Sequence, residues 1–325
     1  MSRRSIVSAP DGSPPVVLTV RAPAKLNLSL AVLARRDDGF HEIESLMVPV
    51  TLFDTLRVAA ADAPGIRLRV RYAGQLAGSA RSGGLSRDVP VDASNLVVRA
   101  AQALADAAGV RRGLDVELVK EIPSGAGLGG GSSDAAAVLL AASRAWGLDW
   151  PRERLAAIGS RIGSDVPWFF AGGPAIAGGR GERLESVAGL PFVAAVIACP
   201  AVGLSTAAVY ARCVPDPARR GEAARLAAAF AAGRLPDALS LMHNSLEQPA
   251  RDLCREVDRL LADLASAGAV RPLLTGSGSA CFALTRSVAE AGRIAGRLGS
   301  VGWPGVFAVR LAVAATAPLE RPLAC

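Results

Sequence analysis

Eleven consecutive residues, Pro123-Ser-Gly-Ala-Gly-Leu-Gly-Gly-Gly-Ser-Ser133, combine five glycines with two closing hydroxyls and lead into Asp134 and an alanine-rich run. Ahead of them, Leu114, Val116 and Leu118 alternate with Asp115 and Glu117, as in a strand. Behind them, Ala135 to Ala145 reads as a helix that Gly147 is placed to end. Glycines let a backbone approach an anion closely, and the first turn of a helix offers free N–H groups and a favourable dipole. The loop is therefore built to hold phosphate. Ser132 and Ser133 can add hydroxyl donors, and Ser132 is the best candidate ligand for a metal ion. No Gly-Lys-Ser/Thr follows the glycines, so this is not a Walker A loop. The helix lacks the short βαβ return and acidic strand end of a dinucleotide site. A Gly/Ser linker would be longer and would not run into a helix.

Two lysines stand out next. Of 36 basic residues, Lys25 and Lys120 alone are not arginine. Lys120 precedes the phosphate loop by three residues. A compact ammonium is not interchangeable with a guanidinium where a point charge meets a phosphate or a proton-transfer site. Lys25 lies on a strand pattern in which Leu26, Leu28, Leu30 and Val32 share one face and Lys25, Asn27 and Ser29 the other. Lys25 and Asn27 thus project together.

The elements that position these groups follow from local patterns. Val16–Val20, Leu26–Val32, Glu42–Val48, Thr55–Val58 and the span 65–70 read as strands. Arg35 to Gly39 is a turn by composition, leading to Phe40 and His41. Asn95–Ala108 reads as a helix, with Ser94 as N-cap and Gly109 at its end. Gly74–Pro90 reads as a surface loop. A further helix opens at Asp149-Trp150-Pro151 and stops near Gly163. The second half carries strands at Phe192–Cys199, Cys281–Leu284 and Phe307–Val313, and helices at Ala218–Ala232, Leu253–Ala267 and Val288–Leu298. Strands and helices that do not strictly alternate indicate α+β.

The chain has 325 residues, 51% hydrophobic and 20% charged, with a net charge of +7. That length suits two domains, expected at 16–181 and 182–325. Residues 1–15, polar and without a hydrophobic signal region, read as a disordered tail on a cytoplasmic protein. No apolar run is long enough for a membrane span. Five scattered cysteines form no CxxC pair, and two histidines, His41 and His243, cannot build a His-rich metal site. The arginines are dispersed and only 14 residues are aromatic, which disfavours nucleic acid and favours a charged small molecule.

Three motifs in this order resemble the GHMP small-molecule kinases: Ala22-Pro-Ala-Lys-Leu-Asn-Leu28, the loop Pro123 to Ser133, and Leu274-Thr-Gly-Ser-Gly-Ser-Ala280. Asp38-Gly-Phe-His41, Leu128-Gly-Gly-Gly-Ser-Ser-Asp134 and Gly163-Ser-Asp-Val-Pro167 bring the resemblance, over roughly 20–315, to the 4-diphosphocytidyl-2-C-methyl-D-erythritol kinase family of the non-mevalonate isoprenoid pathway. The resemblance implies ATP and Mg²⁺ as cofactors, a monomer or homodimer, an N-terminal domain like the second domain of ribosomal protein S5, and a ferredoxin-like C-terminal domain. It implies Asp165 as the base that takes the proton from the substrate hydroxyl, with Lys25 polarising that hydroxyl or balancing charge. It further implies that Pro123, Ser124, Gly125, Ala126, Gly127, Leu128, Gly129, Gly130, Gly131, Ser132 and Ser133 wrap the ATP phosphates. Asn95 and Lys120 would contact the nucleoside of ATP, Phe40 and His41 the cytosine of the substrate, and Asn27 the reacting group. Phe40 stands where the family usually has tyrosine. The alternatives are another kinase of this superfamily, acting on mevalonate, phosphomevalonate or homoserine, and a non-catalytic nucleotide-binding regulator on the same fold.

Overall fold

A computed structural model describes residues 16–79, 89–191 and 193–312. Its backbone is a long antiparallel hairpin, β1 (Leu18–Arg35) and β2 (His41–Ala61), around which both halves of the chain assemble. Sequence reading splits each of these strands in two; the structure runs them through, with irregularities at Pro23/Ala24 and Asn27/Ser29 absorbing the breaks in alternation. β3 (Ile66–Tyr72) and β4 (Gly113–Lys120) extend the sheet beyond β2 in the order β3-β4-β2-β1. Between them, α1 (Gln75–Ser79) occupies part of the expected loop, whose residues 80–88 lie outside those described.

α2 (Leu96–Ala108) and α3 (Gly130–Ala145) cover one face of this sheet. Ala100, Ala101 and Leu104 of α2 meet Ala135 to Ala142 of α3 in one core with Val20, Leu56 and Val116. Small side chains on α3 allow this close approach. α2 corrects the expected cap: Asn95, not Ser94, is the N-cap, accepting from Val97 N at 2.8 Å, while Ser94 donates to Asp92. Gly109 ends the helix at φ 66°. α3 starts five residues earlier than its alanine pattern implies, so Gly130 to Asp134 are helical.

α4 (Arg152–Gly159), α5 (Trp168–Ala171), β5 (Ala175–Gly179) and β6 (Arg183–Ser186) follow. β5 pairs with β2 and β6 with β5, so the boundary expected at 181 cuts a hairpin of the first sheet. The second sheet, in order β11-β7-β10-β9, is antiparallel and joins β7 (Ala194–Cys199), β9 (Leu273–Leu274), β10 (Cys281–Thr285) and β11 (Gly305–Arg310). β8 (His243–Asn244) crosses back to pair with β1. The remaining helices are α6 (Thr206–Arg212), α7 (Glu222–Ala231), α8 (Leu235–Leu241), α9 (Glu247–Leu253), α10 (Arg255–Ser266) and α11 (Val288–Ser300). Leu26, Leu28 and Leu46 of the hairpin pack with Leu226 and Phe230 of α7 and Phe282 of β10, so the two halves share a core. Phe192 and Val313, ends of two expected strands, and the expected tail 1–15 lie outside the described residues. Among the described residues, no helix is long and apolar enough to cross a membrane.

Candidate active site

The polar face of β1 is not open to solvent. Lys25 is 4% exposed and Asn27 and Ser29 are equally sealed. Lys25 Nζ donates to Asn27 Oδ1 at 2.5 Å, and Asn27 Nδ2 donates to Ser45 Oγ at 2.8 Å. Asn27 N in turn donates to Thr275 Oγ1 at 3.1 Å. Asn27 is therefore consumed in orienting Lys25. A buried ammonium loses hydration, which pulls the Lys25 pKa below its ordinary value, against the opposing field of Asp165.

The glycine loop closes over Lys25. Gly125, Gly127 and Gly129 have φ of 65°, 79° and 73°, the left-handed region that side chains avoid. These turns bury Ala126 and Leu128 in the core and leave Gly125 exposed and Gly127 and Gly129 half-buried. Lys25 N donates to Leu128 O at 2.9 Å, and Ala280 N to Ala126 O at 3.0 Å, so the three glycine- and lysine-bearing motifs meet. A Cβ on Gly129 would stand 2.9 Å from Lys25 Cγ, and one on Gly276 3.2 Å from Lys25 Nζ. The loop ends at the α3 N-terminus, whose first-turn N–H groups have no partner within the helix. Ser132 is half-exposed there, its Oγ 3.8 Å from where a Cβ of Gly163 would lie.

Ser133 does not belong with the phosphate donors. It is 1% exposed and its N–H bonds Gly129 O, which removes both groups from a ligand. The side chains of Pro123, Ala126 and Leu128 are likewise buried and offer only backbone. Lys120 is sealed beneath the loop: Nζ bonds Asp54 Oδ2, and Asp134 Oδ2 at 2.8 Å. Burial alone would lower its pKa, but the two carboxylates outweigh it and raise it. Burial, reinforced by Asp54, raises the Asp134 pKa above the ordinary carboxylate value against the pull of Lys120. The second Asp134 oxygen, Oδ1, is buried without a hydrogen-bond partner among the described residues. Asn95 spends its oxygen on Val97 N and its amide on Pro90 O. Both residues expected at the nucleoside thus have internal partners; Lys120 borders the start of α3, and Asn95 caps α2.

In the turn before β2, Asp38 Oδ1 accepts from Phe40 N, and Gly39 at φ 81° turns the chain so that Phe40 is 51% exposed. The Arg180 guanidinium lies 4.7 Å over the Phe40 ring. Tyr210 stands 5.1 Å from His41, ring to ring. Burial and the Arg35 charge hold His41 below its ordinary pKa, favouring neutral imidazole, and its buried Nε2 has no partner among the described residues. Asp165 is near both groups, its charge acting on Lys25 and on Tyr210. A Cβ on Gly181 would sit 3.8 Å from its Oδ1, and its charge, after burial, helps push up the Tyr210 hydroxyl.

Sequence reading missed Asp54, Asp134, Arg180, Tyr210 and Thr275 as contributors. Tyr210 carried a usable signal, being one of two tyrosines in the chain. The carboxylates had none, because their sealed Lys120 site joins β2, β4 and α3.

The geometry agrees with what the chain is similar to. Residues 95–173 match the family model of the GHMP kinases N terminal domain, and 226–302 that of the GHMP kinases C terminal. The chain is 40% identical to the 4-diphosphocytidyl-2-C-methyl-D-erythritol kinase of Rhodopirellula baltica, covering 93% of this chain and 97% of that one. The enzyme of that name from Pelotomaculum thermopropionicum is 38% identical, over 87% and 94%. A crystal structure of 4-(cytidine 5'-diphospho)-2C-methyl-D-erythritol kinase superposes with a TM-score of 0.70 at 35% identity, over 90% and 99%. Homoserine kinase from Cytophaga hutchinsonii shares the fold, with a TM-score of 0.71 at 20% identity over 96% and 99%. Sequence and fold together make this chain a member of the GHMP kinases and, within them, of the 4-diphosphocytidyl-2-C-methyl-D-erythritol kinase family.

Proposed function

We propose that the protein transfers the γ-phosphoryl group of ATP to the 2-hydroxyl of 4-diphosphocytidyl-2-C-methyl-D-erythritol, releasing ADP, in the non-mevalonate route to isoprenoids. One observation carries this reading: Lys25, oriented by Asn27 under the phosphate loop, lies in the field of Asp165, whose charge also reaches Tyr210 beside His41. Asp165 takes the proton as the substrate oxygen attacks the γ-phosphorus, and Lys25 offsets the charge that develops. The α3 N-terminus and the glycine backbone hold the phosphates. The exposed Phe40 ring stacks on cytosine, and His41 beside it contributes a hydrogen bond to the base. Asn95 and Lys120 shape the nucleoside end by bracing α2 and α3.

Mg²⁺ fits the donor set. Among the described residues no cluster of three or more His, Cys, Asp or Glu could hold a metal, and Ser132 offers a half-exposed hydroxyl at the phosphate loop. An ion bound through one or two protein oxygens and the substrate's own phosphates needs no more. Ser132 would hold it, and its charge would neutralise the phosphates. The four described cysteines are free thiols, which supports a reducing, cytoplasmic setting.

The test is ADP release with 4-diphosphocytidyl-2-C-methyl-D-erythritol as sole acceptor. Turnover is expected with it and not with mevalonate or homoserine. Asp165→Asn is expected to keep ATP binding and to lose ~10²–10⁴ in kcat. Full turnover in that variant would remove Asp165 as base.

A further inference from the structure

The Asn27 amide has two unlike ends, and which end meets Lys25 decides what the lysine feels. An ammonium can only donate, so it gains a partner from Oδ1 and none from Nδ2. β1 and β2 settle the matter at their irregularity between Asn27 and Ser29, where the register passes from Asn27 opposite Met47 to Ser29 opposite Leu46. Side chains there take up main-chain groups. Ser45 Oγ donates to Ser29 O at 2.6 Å, and Leu46 N donates to Ser29 Oγ at 3.2 Å. Ser45 is fully buried, and its one hydroxyl proton is spent on that carbonyl. Towards Asn27, 2.8 Å away, its oxygen can therefore only accept. The Asn27 group it faces must be the NH2, which turns Oδ1 to Lys25 Nζ at 2.5 Å. Thr275 agrees: its hydroxyl accepts from Asn27 N at 3.1 Å and points its own proton at Oδ1, at 3.4 Å.

We propose that Ser45 is a positioning residue for phosphoryl transfer: it sets the Asn27 amide so that Lys25 keeps an acceptor, and with it its charge, beneath the phosphate loop. Ser45 acts through Asn27 and not on the substrate, and its kinetic consequence rests on the kinase reading above. Without the Ser45 hydroxyl, the buried Asn27 NH2 has no acceptor, and a rotation that relieves it takes Oδ1 away from Lys25. Asp165 is then the charged group left to hold the Lys25 proton, against burial. Gly129 and Gly276, which also border Lys25, bring no charge.

The first experiment needs no turnover. Lys25 and Lys120 are the chain's two lysines, so ¹³C-lysine labelling of the full chain gives two sets of side-chain signals, and Lys25→Arg assigns them. The Lys25 titration midpoint is expected to fall by ~1 pH unit in Ser45→Ala, a tenfold loss of proton affinity, and to return in Ser45→Thr. In an Asn27→Ala background, Ser45→Ala is expected to shift it no further, because the serine acts only through that amide. If Ser45→Ala does not fold, Ser45→Thr against the equally shaped Ser45→Val makes the same comparison. An unmoved midpoint, or an equal fall with and without Asn27, overturns the proposal whatever the enzyme phosphorylates. In turnover, Ser45→Ala is expected to lower kcat ~10-fold, short of the ~10²-fold of a 1 Å misplacement, with KM for ATP and for the acceptor unchanged. Its alkaline limb should move by as much as the midpoint; a limb that stays while the midpoint moves would also overturn the proposal. A parent chain that titrates as expected but turns over no 4-diphosphocytidyl-2-C-methyl-D-erythritol would sink the substrate reading and leave the Ser45–Asn27–Lys25 arrangement standing.

Discussion

At the residue scale, the site is governed by two lysines with opposite environments. Lys25 is buried beside a single carboxylate's field and its pKa falls below the ordinary 10.5. The charged form is the working one, so kcat is expected to decline on the alkaline side at a pH below that value. Lys25→Arg should lower the rate but abolish this limb, since a guanidinium does not deprotonate there. A pH–rate profile decides: if the limb survives in the arginine variant, Lys25 does not set it. Lys120 is instead clamped between Asp54 and Asp134. Removing it by Lys120→Ala leaves two buried carboxyl groups facing each other, and breaking a buried pair in this way costs ~3–5 kcal/mol. Equilibrium denaturation should show that loss; a variant within 1 kcal/mol of the parent, about the scale of an exposed pair, would contradict the clamp.

At the element scale, the phosphate loop is a backbone device. Its alternation of left-handed glycines with the buried Ala126 and Leu128 pins the loop to the core while presenting only main chain to a ligand. Gly127 is the tightest point: a Cβ there would run into Thr275 O and lie 3.1 Å from Gly278 N. Gly127→Ala is therefore expected to exceed the ~1–3 kcal/mol of a strained backbone position, lowering Tm and raising KM for ATP. Gly147 has a similar φ, 68°, but nothing within 4 Å of its Cβ. Gly147→Ala should cost only the ~1–2 kcal/mol of a left-handed residue and leave KM unchanged. Equal effects on KM in the two variants would mean that the loop's seat on Thr275–Gly278 does not matter for nucleotide binding.

At the scale of the whole molecule, the site is completed by the second half of the chain, which reaches back onto β1. Asn244 on β8 donates to Leu274 O at 2.9 Å and Gly276 O at 2.8 Å, fastening the C-terminal glycine loop beside Lys25. Its neighbour His243 is held to a pKa of about 4 by burial first and then by Arg219 and Arg271, with Asp216 opposing. The unfolded chain takes up a proton near the ordinary 6.5 and the native chain does not. Stability from this group is thus full above about 6.5 and is lost as pH falls toward 4. His41 is shifted in the same direction. The denaturation midpoint should fall between about pH 7 and pH 5, and His243→Gln should flatten much of that slope; an unchanged slope would assign it elsewhere.

The amino-acid order by itself determined the parts whose causes are local. The phosphate loop was legible because glycine density followed by a helix has few uses, and Lys25 with Asn27 because a strand projects alternate residues together. The α+β character and the family resemblance followed from the same stretches. Assembly was not legible. That the polar face of β1 is sealed, that Ser133 turns into the core while Ser132 stays out, and that Asn95 caps its own helix depend on neighbours far along the chain. So does the Asp54–Lys120–Asp134 clamp, whose members lie 66 and 14 residues apart. Burial and long-range pairing are properties of packed elements, and sequence periodicity records only which face is apolar, not what will cover it.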